Sequence, residues 1–152
     1  LGSSPGGWSQ VAAKIIKNGK ILSTDIKSME KIEKVNFILA DVKDENFYTK
    51  IENFFKKKID IVISDMAANT TGNKDLDSYR TGELCLNALD LASKVLNENG
   101  IFLSKIFMGS IFNEIHGKAK KKFRRVIKYK PLSSKKDSKE IYLFCKDLSK
   151  IW

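Results

Sequence analysis

Three short apolar segments of this 152-residue chain each end in an aspartate, which strongly restricts how the chain can fold. The segments cover residues 20–24, 35–40 and 59–64, and the acids that follow them are Asp25, Asp41 and Asp65. Taken singly, such an aspartate is typical of a helix cap or a loop. In an open parallel sheet, however, ligands bind beyond the carboxyl ends of the strands. The three acids together therefore predict an α/β fold with one carboxylate-lined crevice.

Segments with helical spacing of apolar residues alternate with these strands. Helices are predicted over residues 8–16, 47–55, 78–96 and 112–122, with Asp44 capping the second and Asn99-Gly100 stopping the third. Further strands are predicted over residues 101–107, 123–130 and 141–146, the last two separated by the loop 131–139. The chain opens on a glycine-rich turn that normally follows a strand, so a first strand is expected upstream of Leu1. We predict a single domain over residues 1–152, incomplete at its N-terminus, with a mostly parallel seven-stranded sheet and an antiparallel hairpin at the C-terminal edge.

The net charge of +10 is concentrated in residues 118–139, which we call the basic segment. This segment contains eleven Lys or Arg and one Asp, whereas the other 130 residues carry 17 basic and 17 acidic side chains. A surface of this kind predicts a polyanionic partner, although a solvated charged helix and hairpin would have the same composition. The basic residues are Lys118, Lys120, Lys121, Lys122, Arg124, Arg125, Lys128, Lys130, Lys135, Lys136 and Lys139.

Several classes of protein are disfavoured by composition. The most apolar long window, residues 100–112, is shorter than the roughly 18 to 20 residues that span a bilayer and contains Lys105, so no membrane segment is predicted. Cys85 and Cys145 lie far apart without a CxxC motif, and His116 is the only histidine. We therefore predict reduced thiols, no bound metal and a cytoplasmic location.

The opening turn, Gly-Ser-Ser-Pro-Gly-Gly-Trp at 2–8, matches neither G-x-G-x-x-G nor the P-loop motif. A dinucleotide-dependent dehydrogenase is therefore disfavoured and a P-loop enzyme is excluded. A glycine turn, an acid suited to a ribose diol and a further acid suited to an adenine amino group together predict an S-adenosylmethionine site. The sulfonium of that cofactor is a cation, which a crevice lined with acids attracts.

Lys105 lies inside the apolar strand predicted at 101–107. Removing an ammonium group from water costs free energy unless a carboxylate pairs with it. Two interpretations stay open from the residues alone: a lysine that takes a proton from a substrate hydroxyl, and a lysine at a strand end that reaches solvent. Phe107 and Phe112 could stack a base, but both are expected to belong to the core. His116 is expected to be an exposed helix residue.

Several segments closely resemble the FtsJ/RrmJ family of RNA 2'-O-ribose methyltransferases, in the same order and over essentially the whole chain. They are Leu-Gly-Ser-Ser-Pro-Gly-Gly-Trp-Ser-Gln at 1–10, Ser-Asp-Met-Ala at 64–67 with Asn69 and Gly72, Lys-Ile-Phe at 105–107, and Ser-Lys-Glu-Ile-Tyr at 138–142. The resemblance implies a Rossmann-like methyltransferase fold and an S-adenosylmethionine cofactor.

The resemblance also implies roles for individual residues. Gly6 and Trp8 would contact the methionine part of the cofactor, Asp25 its ribose, Asp41 its adenine, and Asp65 the reacting centre. Asp65, Lys105 and Glu140 match the last three members of the family's catalytic Lys-Asp-Lys-Glu set; the first lysine would lie upstream of Leu1.

Two motifs depart from the family pattern. The family's Asp-Met-Ala-Pro is Asp-Met-Ala-Ala at 65–68, which affects the stiffness of the loop beside Asp65. Its Gln-Gly-Glu-Gly is Met-Gly-Ser-Ile at 108–111, in a loop expected to contact substrate.

The function implied by the resemblance is 2'-O-methylation of the ribose of a uridine in large-subunit ribosomal RNA. The protein is expected to be a monomer with no membrane partner. One alternative keeps the chemistry and changes the substrate to tRNA or organellar ribosomal RNA; if the source is eukaryotic, the organellar substrate places the protein in an organelle. Another is a non-catalytic RNA-binding or ribosome-assembly factor with the same fold; Asp65, Lys105 and Glu140 argue against it.

Overall fold

The computed structural model describes residues 1–132, 134 and 138–149, and within these it contains four helices and six strands. In chain order they are α1 (Gly7–Ile15), β1 (Ile21–Asp25), β2 (Val35–Leu39), α2 (Phe47–Phe55), β3 (Ile59–Ser64), α3 (Lys74–Val95), β4 (Leu96–Phe107), α4 (Phe112–Lys122), β5 (Phe123–Tyr129) and β6 (Glu140–Leu148). The chain divides into two compact units, Leu1–Lys56 and Lys57–Trp152.

The first unit contains α1, β1, β2 and α2. β1 and β2 pair in parallel with Asp25 opposite Leu39, and the Ala40 N–H donates to the Asp25 carbonyl at 2.9 Å. α1 is tied to β1 by a buried hydrogen bond between the hydroxyl groups of Ser9 and Ser23 at 2.7 Å. The two strands therefore end side by side, close to the start of the loop that carries Asp41.

The cap predicted for α2 at Asp44 is wrong, because Asn46 occupies the N-cap position and makes no side-chain cap bond. Asp44 instead accepts the Asn46 N–H at 2.9 Å and pairs with Lys50 Nζ at 3.0 Å. The backbone hydrogen bond, followed by the bond to Lys50, lowers the pKa of Asp44. The acid thus stabilises the turn before the helix rather than the first turn of the helix itself.

The second unit is built on a mixed four-stranded sheet, counted over the described residues, with the order β3-β4-β6-β5. β3 and β4 are parallel, whereas β6 is antiparallel to both β4 and β5. Phe102, Ser104 and Ile106 of β4 are buried, and the residues between them are half-buried, as expected when alternate side chains point to opposite faces. α3 packs against β4, and α4 packs against β5.

The predicted mostly parallel seven-stranded sheet is wrong for the described part of the chain. There, β1 and β2 form a two-stranded sheet and the other strands form the four-stranded one. Apolar periodicity identifies strands but does not say which strands share a hydrogen-bond ladder. The predicted antiparallel hairpin is confirmed: β5 and β6 pair without a crossover helix, and β5 lies at the edge.

α3 begins at Lys74, one turn before the predicted start at residue 78. The Asn73 side chain accepts hydrogen bonds from the N–H groups of Asp75 and Leu76, so it caps the helix there. The predicted stop at Asn99-Gly100 is also wrong. Leu96 already has an extended backbone and pairs with Ile59, so the helix ends at Val95.

Within the residues that the structure describes, no helix is both long enough and apolar enough to cross a membrane. Cys85 and Cys145 are buried free thiols. Burial raises the pKa of Cys85 to about 11 and that of Cys145 to about 12, so both thiols stay protonated at neutral pH.

Candidate active site

An ion pair between Asp65 and Lys105 lies at the carboxyl end of the parallel pair β3–β4. Ser64 is opposite Ser104 in the sheet register, so the next residue of each strand is brought to the same level. The distance from Lys105 Nζ to Asp65 Oδ1 is 2.9 Å. The structure thus brings together two of the three predicted catalytic residues.

The Lys105 side chain is 15% exposed and that of Asp65 is 30% exposed. The lysine therefore lies along the sheet with its aliphatic stem covered, while its ammonium group meets the carboxylate. Partial burial reduces solvent screening, so this pair is electrostatically stronger than an exposed pair such as Lys118–Glu114. The carboxylate supplies the partner that a lysine in an apolar strand requires.

Glu140 and Tyr142 of β6 lie on the same face of the sheet as Lys105. Tyr142 is directly opposite Lys105 and Glu140 is opposite Phe107, so all four side chains share one face. The Tyr142 hydroxyl donates to Glu140 Oε1 at 3.1 Å. Glu140 is therefore a neighbour of Lys105 across the strand pair, displaced from it by two residues along the sheet.

Tyr142 had no role in the sequence interpretation, although it belongs to the 138–142 motif. Its signal was the spacing of two residues from Glu140, which places both side chains on one face of a strand. Burial, followed by the negative charge of Glu140, raises the pKa of Tyr142 to about 12. The tyrosine is therefore protonated at neutral pH and can donate its hydroxyl proton to Glu140.

In the first unit, Asp25 closes the glycine turn. Its Oδ2 accepts the Ser4 N–H at 2.8 Å and its Oδ1 accepts the Lys27 N–H at 2.9 Å. The Ser3 N–H also donates to the Thr24 carbonyl at 3.2 Å, which brings the turn against the end of β1. Asp25 thus holds the turn by its own side chain.

Asp41 follows β2 and accepts the Lys43 N–H at 2.9 Å through Oδ1. Because Ala40 bonds to the carbonyl of Asp25, Asp41 belongs to the same end of the β1–β2 pair. The two acids predicted to bind the ribose and adenine of the cofactor are therefore brought to one edge.

Gly6 has a φ of 122°, a backbone conformation that residues with a side chain rarely adopt. A Cβ there would lie 2.9 Å from Ile32 Cδ1, so only glycine fits. At Gly7 a Cβ would meet no atom within 4 Å, and Trp8 is half-buried in the first turn of α1. The open space at Gly7, in a turn whose Ser4 N–H is bound by Asp25, leaves the backbone accessible to a ligand such as S-adenosylmethionine. The contact predicted between Asp65 and the cofactor stays a prediction.

The described part of the basic segment covers the C-terminal end of α4, the strand β5 and some of the residues between β5 and β6. Lys118 pairs with Glu114 at 2.9 Å, and Lys122 pairs with Asp90 at 3.1 Å. Lys135 and Lys136 lie outside the described residues. The remaining basic residues are all exposed: Lys120, Lys121, Arg124, Arg125, Lys128, Lys130 and Lys139.

The prediction that Phe107 and Phe112 belong to the core is wrong in degree, because both side chains are half-buried. His116 is half-buried too, whereas it was expected to be exposed. Among the described residues, no group of three or more His, Cys, Asp or Glu side chains is arranged to hold a metal ion.

Comparison with known proteins extends this description. Residues 1–148 match the family model of FtsJ-like methyltransferases. The chain is 48% identical over 148 residues to ribosomal RNA large subunit methyltransferase E of Pelagibacter ubique, covering 97% of this chain and 73% of that protein. It is 47% identical over 149 residues to the protein of the same name from Rickettsia felis, covering 94% of this chain and 66% of that protein.

A solved structure agrees with the fold. The crystal structure of a candidate ribosomal RNA methyltransferase from Plasmodium falciparum superposes with a TM-score of 0.85 at 33% identity, covering 97% of this chain and 83% of that one. The fold and the site together define an S-adenosylmethionine-dependent methyltransferase. The chain belongs to the FtsJ-like methyltransferase family, whose members methylate RNA at the ribose 2'-oxygen. The predicted family, enzyme class and cofactor are confirmed.

Proposed function

We propose that this chain transfers a methyl group to the 2'-hydroxyl of a uridine ribose in large-subunit ribosomal RNA. The names of its relatives support this substrate. The observation that carries the proposal is the ion pair between Asp65 and Lys105, on a sheet face shared with Glu140. An amine held by a carboxylate beside a second acid suits the handling of one hydroxyl proton.

A ribose 2'-hydroxyl is a weak nucleophile, so the enzyme must orient it and help it lose its proton. The cofactor supplies an electrophilic methyl group bound to its sulfonium. As the ribose oxygen forms its bond to the methyl carbon, the bond from that carbon to sulfur would break with its electron pair going to sulfur, and Lys105 Nζ accepts the hydroxyl proton. Asp65 fixes the direction of Lys105 through the contact of 2.9 Å and stabilises the ammonium group that results.

Glu140 orients the ribose from the facing strand. Its carboxylate is held by the Tyr142 hydroxyl, and the Glu140 N–H is held by the Ser138 hydroxyl at 3.1 Å. Both the side chain and the backbone of Glu140 are therefore restrained. Such a carboxylate can accept a hydrogen bond from a ribose hydroxyl without first reorganising.

The first unit carries most of the proposed cofactor-binding residues. The backbone at Gly6 and Trp8 contacts the methionine part, Asp25 binds the ribose hydroxyls and Asp41 binds the adenine amino group. Asp65 acts near the sulfonium. The hydrogen bonds that Asp25 and Asp41 accept from backbone N–H groups support these roles, because they hold both carboxyl groups in place at the ends of β1 and β2.

The exposed lysines and arginines of the basic segment bind the phosphates of the RNA. Lys139 immediately precedes Glu140, so phosphate binding and ribose positioning are continuous along the chain. We further propose that residues 1–152 act as a single methyltransferase domain, since the family model matches both units without interruption. The same proposal includes a monomer acting in the cytoplasm, where its ribosomal substrate is found.

The test is to incubate the full-length protein with labelled cofactor and, separately, with large ribosomal subunits, naked ribosomal RNA and tRNA. The methylated ribose is then mapped. Label in one uridine ribose of large-subunit RNA is the expected result. Label in tRNA alone would show that tRNA is the substrate instead of ribosomal RNA. Cofactor binding without methyl transfer to any RNA would indicate a non-catalytic assembly factor.

A further inference from the structure

We propose that Phe112, His116 and Lys128 form a stacking site for one unpaired base of the RNA substrate, next to the nucleotide that is methylated. This inference rests on the proposed RNA methyltransferase function and adds a base-binding site to it. The three residues come from α4 and β5, and none of them belongs to the proposed catalytic set.

The two rings form a stack on one side of α4. Phe112 and His116 are four residues apart, about one helical turn, and their ring centroids are 5.6 Å apart with planes at 18°. Both side chains are half-buried, so the stack keeps surface that solvent can reach. Near-parallel aromatic rings with accessible surface are what a nucleobase stacks upon in proteins that bind single-stranded nucleic acid.

A cation completes the arrangement. Lys128 Nζ of β5 lies over the Phe112 ring, 5.7 Å from its centroid, which holds the ring by a cation–π contact. One further turn along α4 from His116, the exposed Lys120 follows on the same side of the helix. Aromatic surface next to positive charge matches a nucleotide, which has an aromatic base and a negative phosphate.

The stack lies close along the chain to the proposed catalytic residues. β4, which carries Lys105, ends at Phe107, and α4 starts at Phe112. The N–H of Met108, in the connection between them, donates to the Lys139 carbonyl at 2.9 Å, which ties this connection to the residue before Glu140. Lys128 shares its face of the sheet with Ser104, so the stack lies near this end of β4 but on the face opposite to Lys105. We infer that an RNA strand passing over this end of the sheet places one ribose at Lys105 and a flanking base on the stack.

Charge decides between an RNA base and another occupant. The basic segment begins two residues after His116 and supplies Lys128, while the one exposed acid between the two rings, Glu114, is paired with Lys118. A polyanion is the partner that such a surface attracts. A second aromatic group in the first unit offers a comparison. Lys20 Nζ lies 5.5 Å from the Phe54 ring centroid, but the Phe54 and Phe55 rings meet edge to face at 85° and so form no stack. Phe54 is therefore a matched control.

The experiment measures how tightly the protein binds a short single-stranded RNA whose central nucleotide is the uridine that the enzyme methylates. A companion set of RNAs places one abasic nucleotide at each position beside the uridine. With the wild-type protein, one abasic position is expected to weaken binding about tenfold, because stacking on an aromatic side chain contributes about that much. The Phe112→Leu/His116→Gln double variant is expected to bind the intact RNA about tenfold more weakly and to bind all abasic RNAs alike.

Three further variants make the test specific. Phe54→Leu and Phe112→Tyr are expected to keep the wild-type abasic pattern, because the first lies elsewhere and the second keeps the ring. Lys120→Gln is expected to weaken binding of every RNA by the same factor. If the double variant loses its cofactor binding or unfolds, the His116→Gln single variant is used instead. If one abasic position still weakens RNA binding by this variant as much as by the wild-type protein, the result counts against the stack.

The stacking site would be overturned if no abasic position weakened RNA binding by the wild-type protein. It would also be overturned if a folded double variant showed the same dependence on abasic position as the wild-type protein. If these proteins still methylate ribosomal RNA, the proposed function stands without it. Failure of the wild-type protein to methylate any RNA would instead overturn the proposed function.

Discussion

Asp25 and Asp65 both stand at the end of a parallel β strand, yet they have different partners. Asp25 accepts two backbone N–H groups, one from the glycine turn and one from Lys27. Asp65 is paired with the ammonium group of Lys105. The first carboxylate shapes a loop and the second holds a functional side chain, so the same sequence pattern serves two tasks.

The difference comes from the neighbouring strand rather than from the acid itself. Beside Asp25 the next strand places Leu39, which offers no charge. Beside Asp65 the register of β3 and β4 places a lysine. An acid at the end of a strand therefore forms an ion pair here only where the paired strand presents a lysine at the same level.

The largest expected effect is the loss of the lysine that distinguishes the Asp65 region. Lys105→Met keeps the length of the side chain and removes its amine, so kcat should fall by about 10²- to 10⁴-fold, the usual contribution of a general base. Cofactor affinity should change less than about twofold, since the main cofactor residues are elsewhere. Methyl transfer to RNA and calorimetric cofactor binding measure the two quantities. Lys57→Met, at an exposed lysine, is the control and should be active; an active Lys105→Met enzyme would remove the assignment.

The next effect separates the two aspartates directly. Asp65→Asn leaves Lys105 without its negative partner, and we expect kcat to fall about 100-fold, within the range for loss of assisted proton transfer. Asp25→Asn instead puts an amide N–H₂ against backbone N–H donors and disturbs the glycine turn, so the cofactor KM should rise about tenfold with kcat largely kept. The measurement is a full kinetic comparison at varied cofactor concentration. Equal changes in kcat for both variants would mean that the two acids do not differ in role.

A smaller effect is expected from a change in the basic segment, and the roles of Asp25 and Asp65 should be unaffected by it. Arg124→Gln removes one exposed charge from the basic segment, so RNA affinity should fall a few-fold and the slope of log K against log salt should become shallower by about 0.7 to 0.9. Lys14→Gln, at an exposed lysine of α1, should keep the wild-type slope. An unchanged slope for Arg124→Gln would show that its charge does not contact phosphate.

The smallest effect concerns Tyr142, beside the Asp65–Lys105 pair. Its pKa is about 12 in the folded protein against 10.0 for an ordinary tyrosine, so the folded state holds this proton more tightly than the unfolded state. The corresponding stabilisation is complete below about pH 10 and is lost as the pH rises to about 12. Tyr142→Phe should therefore remove an ultraviolet tyrosinate transition near pH 12 and weaken the alkaline loss of stability, while kcat at neutral pH falls less than about threefold. Tyr79→Phe, at an exposed tyrosine, is the control and should keep that transition. If the transition is lost in this control, it belongs to Tyr79 and not to Tyr142.

The sequence was sufficient to locate the strands and the acids that end them, because apolar runs and charged residues are local signals. It also identified Lys105, since a charge inside an apolar strand is a local conflict. Strand pairing is a non-local property, so the place of β6 between β4 and β5 could not be read from periodicity. The role of Tyr142 depends on that same pairing. The early start of α3 was readable in principle from Asn73, whose side chain caps the helix.

The position of β6 also has a consequence for the order of folding. β6 is the last strand described along the chain, but it fills the space between β4 and β5. During synthesis the earlier strands emerge first, and β4 and β5 have no ladder to join them until residues 140–148 have left the ribosome. Glu140 arrives with that closing strand, so the nascent chain acquires the face that carries Lys105, Tyr142 and Glu140 together with its completed second unit in a single late event.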